Sequence, residues 1–236
     1  MFETRLTETE RAGLESGWLA GQPEAFRKAV RRIWKIHRRT AGTTIDEAEG
    51  WNPAFVGLAA GFLSQSVPLL SAEEVAVHIA SPGMWFGSSL LGAAVKVRPI
   101  SLRARTDVTL VTVPVKALNT LLQDRPEWWS SIHHYMMLEW ELAVCVATDL
   151  LLPDHRSRLA AVLLRLSGLR PTLGSPSPEL RIPVTQRELA GMCNCSHNAV
   201  NAELGRMSQR GWVELAYGQI RLLDPDSIRA SLLPAP

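Results

Sequence analysis

The sequence predicts an α+β fold: a β-rich N-terminal roll, one long helix, and a C-terminal winged helix-turn-helix. Three observations carry this. Between residues 33 and 115, short apolar or alternating runs are separated by Gly, Pro and Ser, the grammar of a compact β sandwich or roll. Between Pro126 and Pro153 no further Pro or Gly interrupts the chain, and an apolar heptad step runs along it. After Pro153, apolar helical segments with capping residues precede two short strand patterns. The expected divisions are 1–124 for the roll with its N-terminal helices, 125–152 for the long helix and 153–236 for the C-terminal domain.

Composition sets the outer bounds. The chain has 236 residues, 46% hydrophobic and 20% charged, which supports a sizeable core and excludes disorder as the main state. Uncharged apolar stretches such as 55–63 fall far short of the roughly 20 residues a bilayer needs. The opening Met-Phe-Glu-Thr-Arg lacks a basic-then-apolar leader, and three cysteines (Cys145, Cys193, Cys195) make no disulfide framework. A cytoplasmic protein with no membrane partner is expected. The net charge of +2 is unevenly spread: residues 153–236 carry ten Arg, no Lys and seven acids. A small basic C-terminal unit fits nucleic-acid contact. The eight tryptophans, Trp18, Trp34, Trp51, Trp85, Trp128, Trp129, Trp140 and Trp212, are expected as core anchors.

The elements follow in order. Residues 6–30 form one or two helices, broken near Gly21-Gln22-Pro23. Strands are expected at 55–60, 74–79, 101–105 and 109–113. The run Arg27, Lys28, Arg31, Arg32, Lys35, Arg38 and Arg39, with no acid among them, is expected as a solvated face, with extended DNA contact as the alternative. Residues 117–123 make a helical turn. Arg125-Pro126 then opens the long helix, with Pro at a tolerated early position. Trp129, His133, Met136, Trp140, Ala143, Ala147 and Leu150 step by four and three, which is a heptad seam. It fits a parallel homodimer helix; the alternative is a long helix packed on its own domain. His133 on that seam is expected as a packed or hydrogen-bonded histidine.

Pro153-Asp154 reads as a hinge, with Asp154 capping a helix over 155–167 whose apolar face is Leu159, Val162, Leu163 and Leu166. Residues 171–178 form a Pro/Ser/Gly-rich loop. Thr185 and Glu188 make a capping box, Asn194 occupies a turn position needing positive φ, and Ser196 caps a second helix running to about residue 209. Leu189, Ala190, Val200 and Leu204 supply the inner faces. Residues 211–215 and 219–223, joined at Ala216-Tyr217-Gly218, make a two-stranded wing. This is the pattern of a helix-turn-helix with a wing.

These residues resemble the CRP/FNR family of transcription regulators. Thr185-x-x-Glu188-Leu189-Ala190, Cys195-Ser196-x-x-x-Val200, Leu204-x-x-Met207 and Gly211 resemble the family's winged-helix domain. Pro82-Gly83-Met84-Trp85-Phe86-Gly87 is similar to the turn of its cyclic-nucleotide-binding-like β-roll, and Arg98 stands near the arginine that holds the cyclic phosphate. The stretch from Pro126 through Arg158-Leu159-Ala160 resembles the dimer helix, hinge and first helix of the DNA domain. The resemblance implies a non-enzymatic, homodimeric regulator that binds double-stranded DNA, with RNA polymerase as a further partner. It covers nearly the whole chain.

Departures qualify the effector. Ser88 stands where cyclic-nucleotide binders place Glu, Pro99 follows Arg98 where they place Ser or Thr, and Ala143 and Val144 are apolar where the family's cyclic-AMP reader has hydroxyls. Ser88, Arg98 and Pro99 therefore mark the effector pocket, and cyclic AMP is not the expected ligand. An iron–sulfur cluster is not expected, because no Cys precedes residue 145. Haem stays a minor alternative through His37, His78, His133 or His134. Cys193-x-Cys195-x-His197 has metal-ligand residue types, but Cys195 is expected in the buried slot of the turn; no metal or other cofactor is expected.

DNA reading is expected from the start of the second helix. His197, Asn198 and Asn201 face base edges, and Asn suits adenine N6/N7. The resemblance implies arginines at His197 and Ala202, so the usual arginine–guanine contact is missing. Thr185, Gln186, Arg187, Ser196 and Arg206 are the remaining DNA-contact candidates, chiefly for phosphate. That loss of arginine readers motivates the alternative function, a ligand-sensing or scaffolding protein with a weakened DNA-binding domain.

Overall fold

The computed structural model describes residues 5–45, 54–69, 74–88, 91, 100–170 and 180–232. These fall into two compact units: one holds residues 5–64 and 80–140, the other 65–79, 141–170 and 180–232.

The first unit opens with helix α1 (Glu8–Glu15), whose Thr7–Glu10 capping box satisfies two free N–H groups at its start. A 3-10 turn at Trp18–Gly21 and helix α2 (Glu24–Ile33) follow. Strands β1 (Lys35–Arg39), β2 (Ala54–Ala60), β5 (Trp85–Phe86) and β7 (Val108–Pro114) form an antiparallel sheet in the order β1-β7-β2-β5. Three further strands are β3 at Leu63–Pro68, β4 at Glu74–Ala80 and β6 at Ser101–Ala104. The strands expected near 55–60, 74–79, 101–105 and 109–113 are present, within one residue at each end.

The basic run expected as a solvated face stays at the surface, with none of its seven cations buried. The run divides between α2 and an edge strand, and several of its charges are paired. Arg31 meets Glu15 at 2.5 Å, Lys28 meets Glu24 at 2.7 Å, and Arg38 pairs with the Glu10 carboxylate. The Arg38 hydrogen bond holds the Glu10 carboxyl at about 2, well below the usual carboxylate range. Only Ile36 in β1 is aliphatic, so no apolar alternation marks it; pairing of residues 35–39 with β7 does.

The core of this unit is aromatic. Trp18 sits among Phe26, Phe55, Trp85 and Tyr135 with ring centroids 5.1–6.0 Å apart, and its indole N–H donates to the Ser131 carbonyl at 2.9 Å. Gly57 is required here: a Cβ would lie 2.7 Å from Leu14 and 2.8 Å from the Trp85 ring. Trp18 and Trp85 are buried anchors as expected. Trp129 and Trp140 are not; both are exposed. Trp51 lies outside the described residues.

Helix α3 (Val115–Asp124) and a 3-10 turn at Pro126–Trp128 lead into α4 (Trp129–Leu151), 23 residues long. At 1.5 Å per residue, α4 spans about 34 Å. Ile132, Tyr135, Leu142, Cys145 and Asp149 are buried along one side, whereas every seam residue, Trp129, His133, Met136, Trp140, Ala143, Ala147 and Leu150, is exposed. Trp140 is 65% exposed.

In the second unit, the Asp154 carboxylate accepts from the Arg156 and Ser157 amides at 2.9 and 3.0 Å and caps α5 (His155–Leu166). Leu159 through Leu166 are all buried. A buried polar cluster joins α4, α5 and β4. Arg165, 1% exposed, donates Nε to Asp149 at 2.8 Å and Nη1 to the Val77 carbonyl and His78 Nδ1 at 3.2 and 3.1 Å. Arg170 pairs with the other Asp149 oxygen. His78 accepts at Nδ1, so its proton sits on Nε2. Burial, reinforced by the Arg165 charge, holds its pKa well below the ordinary histidine value.

Beyond α5 come strand β8 (Arg181–Ile182), helices α6 (Gln186–Met192) and α7 (His197–Gln209), strands β9 (Val213–Ala216) and β10 (Gln219–Leu222), and helix α8 (Pro225–Ala230). The wing is a three-stranded sheet in the order β8-β10-β9; β8, two residues long, carries no strand signal in the sequence.

Candidate nucleic-acid interface

The helix-turn-helix is built by local chemistry. Thr185 Oγ1 accepts from the Glu188 amide at 3.2 Å, and the Glu188 carboxylate accepts from the Thr185 amide at 2.8 Å, so both halves of the capping box are present. Asn194 takes the turn at φ +47°, a conformation Asn tolerates better than most residues. Ser196 Oγ caps α7 through the Ala199 amide at 3.2 Å. Leu189, Ala190, Val200, Leu204 and Met207 are buried between and beneath the helices.

The opposite face of α7 is open. His197, Asn198 and Asn201 are exposed, and so is Arg187 near the start of α6. Among the described residues, none of these four side chains makes a hydrogen bond or ion pair. Gln186 is half-buried. Thr185 is exposed, but its hydroxyl also donates to Glu188 at 2.7 Å. Arg206, another phosphate-contact candidate, is half-buried, and its guanidinium is held by Glu203, with Nε at 2.8 Å and Nη2 at 2.5 Å from the carboxylate.

One correction concerns the turn. Cys193, not Cys195, fills the buried slot of the turn; Cys195 is half-buried. The α6 helix ends by bonding the Cys193 amide to the Leu189 carbonyl at 2.8 Å. Burial pushes the Cys193 thiol up to about 12 and raises that of Cys195, so neither supplies a ready thiolate. Among the described residues no group of three His, Cys, Asp or Glu is placed to hold a metal ion. At the wing tip, Tyr217 is fully exposed beside Gly218, whose φ is +68°. The sequence marked that turn without singling out its tyrosine.

In the first unit, Ser88, expected in an effector pocket, is buried and donates its hydroxyl to the Glu139 carboxylate from α4. Arg98 and Pro99 lie outside the described residues. Glu139 was not legible as a site residue; burial pushes its carboxyl up to about 7. Of the histidines considered for haem, His37 Nε2 lies 2.9 Å from Thr112 Oγ1, His134 Nδ1 lies 3.3 Å from Gln22, His133 is exposed on the seam, and His78 is bound to Arg165.

Residues 157–231 match the family model of the Crp-like helix-turn-helix domain. The C-terminal domain is Crp-like, and the chain has the fold of the CRP/FNR regulators. Solved structures agree over most of the chain. FixK2 from Bradyrhizobium japonicum superposes with a TM-score of 0.68 at 14% identity, covering 86% of this chain and 100% of that one. A CRP/FNR-family transcriptional regulator from Thermus thermophilus gives 0.61 at 20% identity, covering 84% and 98%. A CRP-like cAMP-activated global transcriptional regulator of Mycobacterium tuberculosis (strain H37Rv) is 25% identical over 131 residues. That match spans 56% of this chain and 58% of the relative's length. Among the described residues no helix is long and apolar enough to cross a membrane.

Proposed function

We propose that the protein is a sequence-specific DNA-binding transcription regulator that acts as a homodimer. The observation that carries this is the division of α7 into two faces. Val200, Leu204 and Met207 are buried, while His197, Asn198 and Asn201 stand exposed in its first turns. Recognition helices of this kind read the major groove with their N-terminal residues. Arg187, without an intramolecular partner among the described residues, supplies a phosphate contact, and the helix caps fix the register.

The continuous exposed seam of α4 supports the homodimer. Seven heptad positions lie open, from Trp129 to Leu150, and a second copy of the same seam covers them through knobs-into-holes packing. Two Crp-like domains then face two half-sites about 34 Å apart. The effector is not cyclic AMP on this reading, and RNA polymerase is a further partner only by analogy with the family.

Selection of bound duplexes from a random pool tests the proposal. A palindromic or pseudo-palindromic site with half-sites one helical turn apart is the expected result, accompanied by a dimer in sedimentation. Recovery of no preferred sequence would favour a sensor or scaffold with a weakened DNA-binding domain.

A further inference from the structure

The Crp-like domain buries a carboxylate within its recognition helix. Glu203 lies among Val200, Leu204 and Met207 and is 6% exposed. Its Oε2 takes both Arg206 contacts and lies 3.5 Å from Arg156 Nε, so cations from α5 and α7 close on one acid. The three side chains line an open pocket of about 470 Å³. Arg210 also lines it, with its guanidinium 5.0 Å from the centre of the Trp212 ring. The Arg156 and Arg206 side chains stay 61% and 41% exposed, against 8% for Glu203. A solute can therefore reach the cations from outside while the acid faces inward.

We propose that Glu203 is a positioning residue that restrains Arg156 and Arg206 and so limits the sequence-independent grip of the domain on DNA backbone. The inference rests on the DNA-binding reading above. A phosphate approaching either guanidinium competes with a carboxylate that is already desolvated and cannot turn to water without leaving its apolar neighbours. The three charges sum to one positive charge instead of two. Non-specific affinity comes almost wholly from cation–phosphate contacts and counterion release. Glu203 therefore lowers the background while leaving the base-facing side chains of His197, Asn198 and Asn201 untouched. Its effect is on the ratio of specific to non-specific binding, the quantity that governs site occupancy in a genome.

Glu203→Gln keeps the shape and one acceptor but removes the charge. The full chain is titrated onto a selected duplex and onto a scrambled duplex of equal length, across a range of salt. The Gln variant is expected to bind the scrambled duplex about five- to tenfold more tightly at low salt, with a log–log salt slope steeper by about one unit. Its selected-to-scrambled ratio falls. A role in packing alone would change stability and leave the slope as in wild type, and that result overturns the inference. Weaker binding to both duplexes, or a shallower slope, also overturns it, because Glu203 would then present the arginines to phosphate. Should the Gln variant fail to fold, Glu203→Met, of similar length and apolar, is measured in the same way. Wild-type protein that binds neither duplex defeats the DNA-binding reading itself. Wild-type protein that binds, with a Gln variant of equal slope, defeats only this inference.

Discussion

Asn198 and Asn201 carry exposed amides with no intramolecular hydrogen bond among the described residues, so DNA would be their first partner after water. If they read bases, Asn198→Ala or Asn201→Ala should cost ~1–3 kcal/mol on the selected site and relax preference at one or two positions. Arg187→Ala should instead weaken all sequences alike and flatten the salt slope by about one unit. Competition binding against single-base variants of the site separates the two patterns. Glu139 gives a different test, in pH. Its folded pKa of about 7 lies above its ordinary value of 4.5. Below 4.5 both states hold the proton and the contribution is fully present. Between 4.5 and 7 only the folded state holds it, so stability falls as pH rises, by about 3 kcal/mol in all. Above 7 the loss is complete. Glu139→Gln removes that dependence: urea unfolding at pH 4.5 and pH 8 should differ less for the variant than for wild type. An equal difference would show that Glu139 does not titrate in this range.

At the scale of elements, local chemistry was the legible part. The caps at Thr185, Ser196 and Asp154, the positive φ at Asn194 and the heptad of α4 each depend on residues a few positions apart. Strand β1 was not legible, because Lys-Ile-His-Arg-Arg has no apolar period and exists as a strand only by pairing with β7. Glu203 was hidden for a similar reason: its burial depends on Arg156, far away in sequence, as well as on neighbouring Arg206. The α4 seam makes a direct prediction. Trp140 is exposed in the single chain, so Trp140→Glu should leave the monomer fold intact while placing a charge in each copy of the seam. Sedimentation at micromolar concentration is expected to show monomer, with loss of binding to the selected duplex; a variant that remains dimeric would remove the seam from the interface. The Arg165 cluster predicts the opposite behaviour. Asp149→Asn leaves a buried guanidinium without its counter-charge and should cost about 3–5 kcal/mol in urea unfolding. Arg165→Met should cost less, because Asp149 keeps Arg170. Equal losses would mean that packing, not charge, dominates there.

At the scale of the whole molecule, the likeness to solved regulators shows the fold alone, so any response to cyclic AMP depends on the roll's own residues. Ser88 is buried with its hydroxyl already given to Glu139, at the position where the family resemblance implies a carboxylate for the ribose. Pro99 brings no donor where a Ser or Thr would contact the phosphate, and Ala143 and Val144 bring no hydroxyl from α4. Losing two charge-assisted hydrogen bonds removes about 3–6 kcal/mol, which weakens binding by a factor on the order of 10²–10⁴. The Mycobacterium tuberculosis relative is cAMP-activated, yet its 25% identity over 131 residues does not carry these positions across. Calorimetric titration of cyclic AMP into the full chain is therefore expected to give no heat of binding, and the affinity for the selected duplex should be the same with and without the nucleotide. A micromolar dissociation constant would sink this prediction and would mean that another side chain, with Glu139 the first to test by Glu139→Gln, has taken over the role of the missing acid.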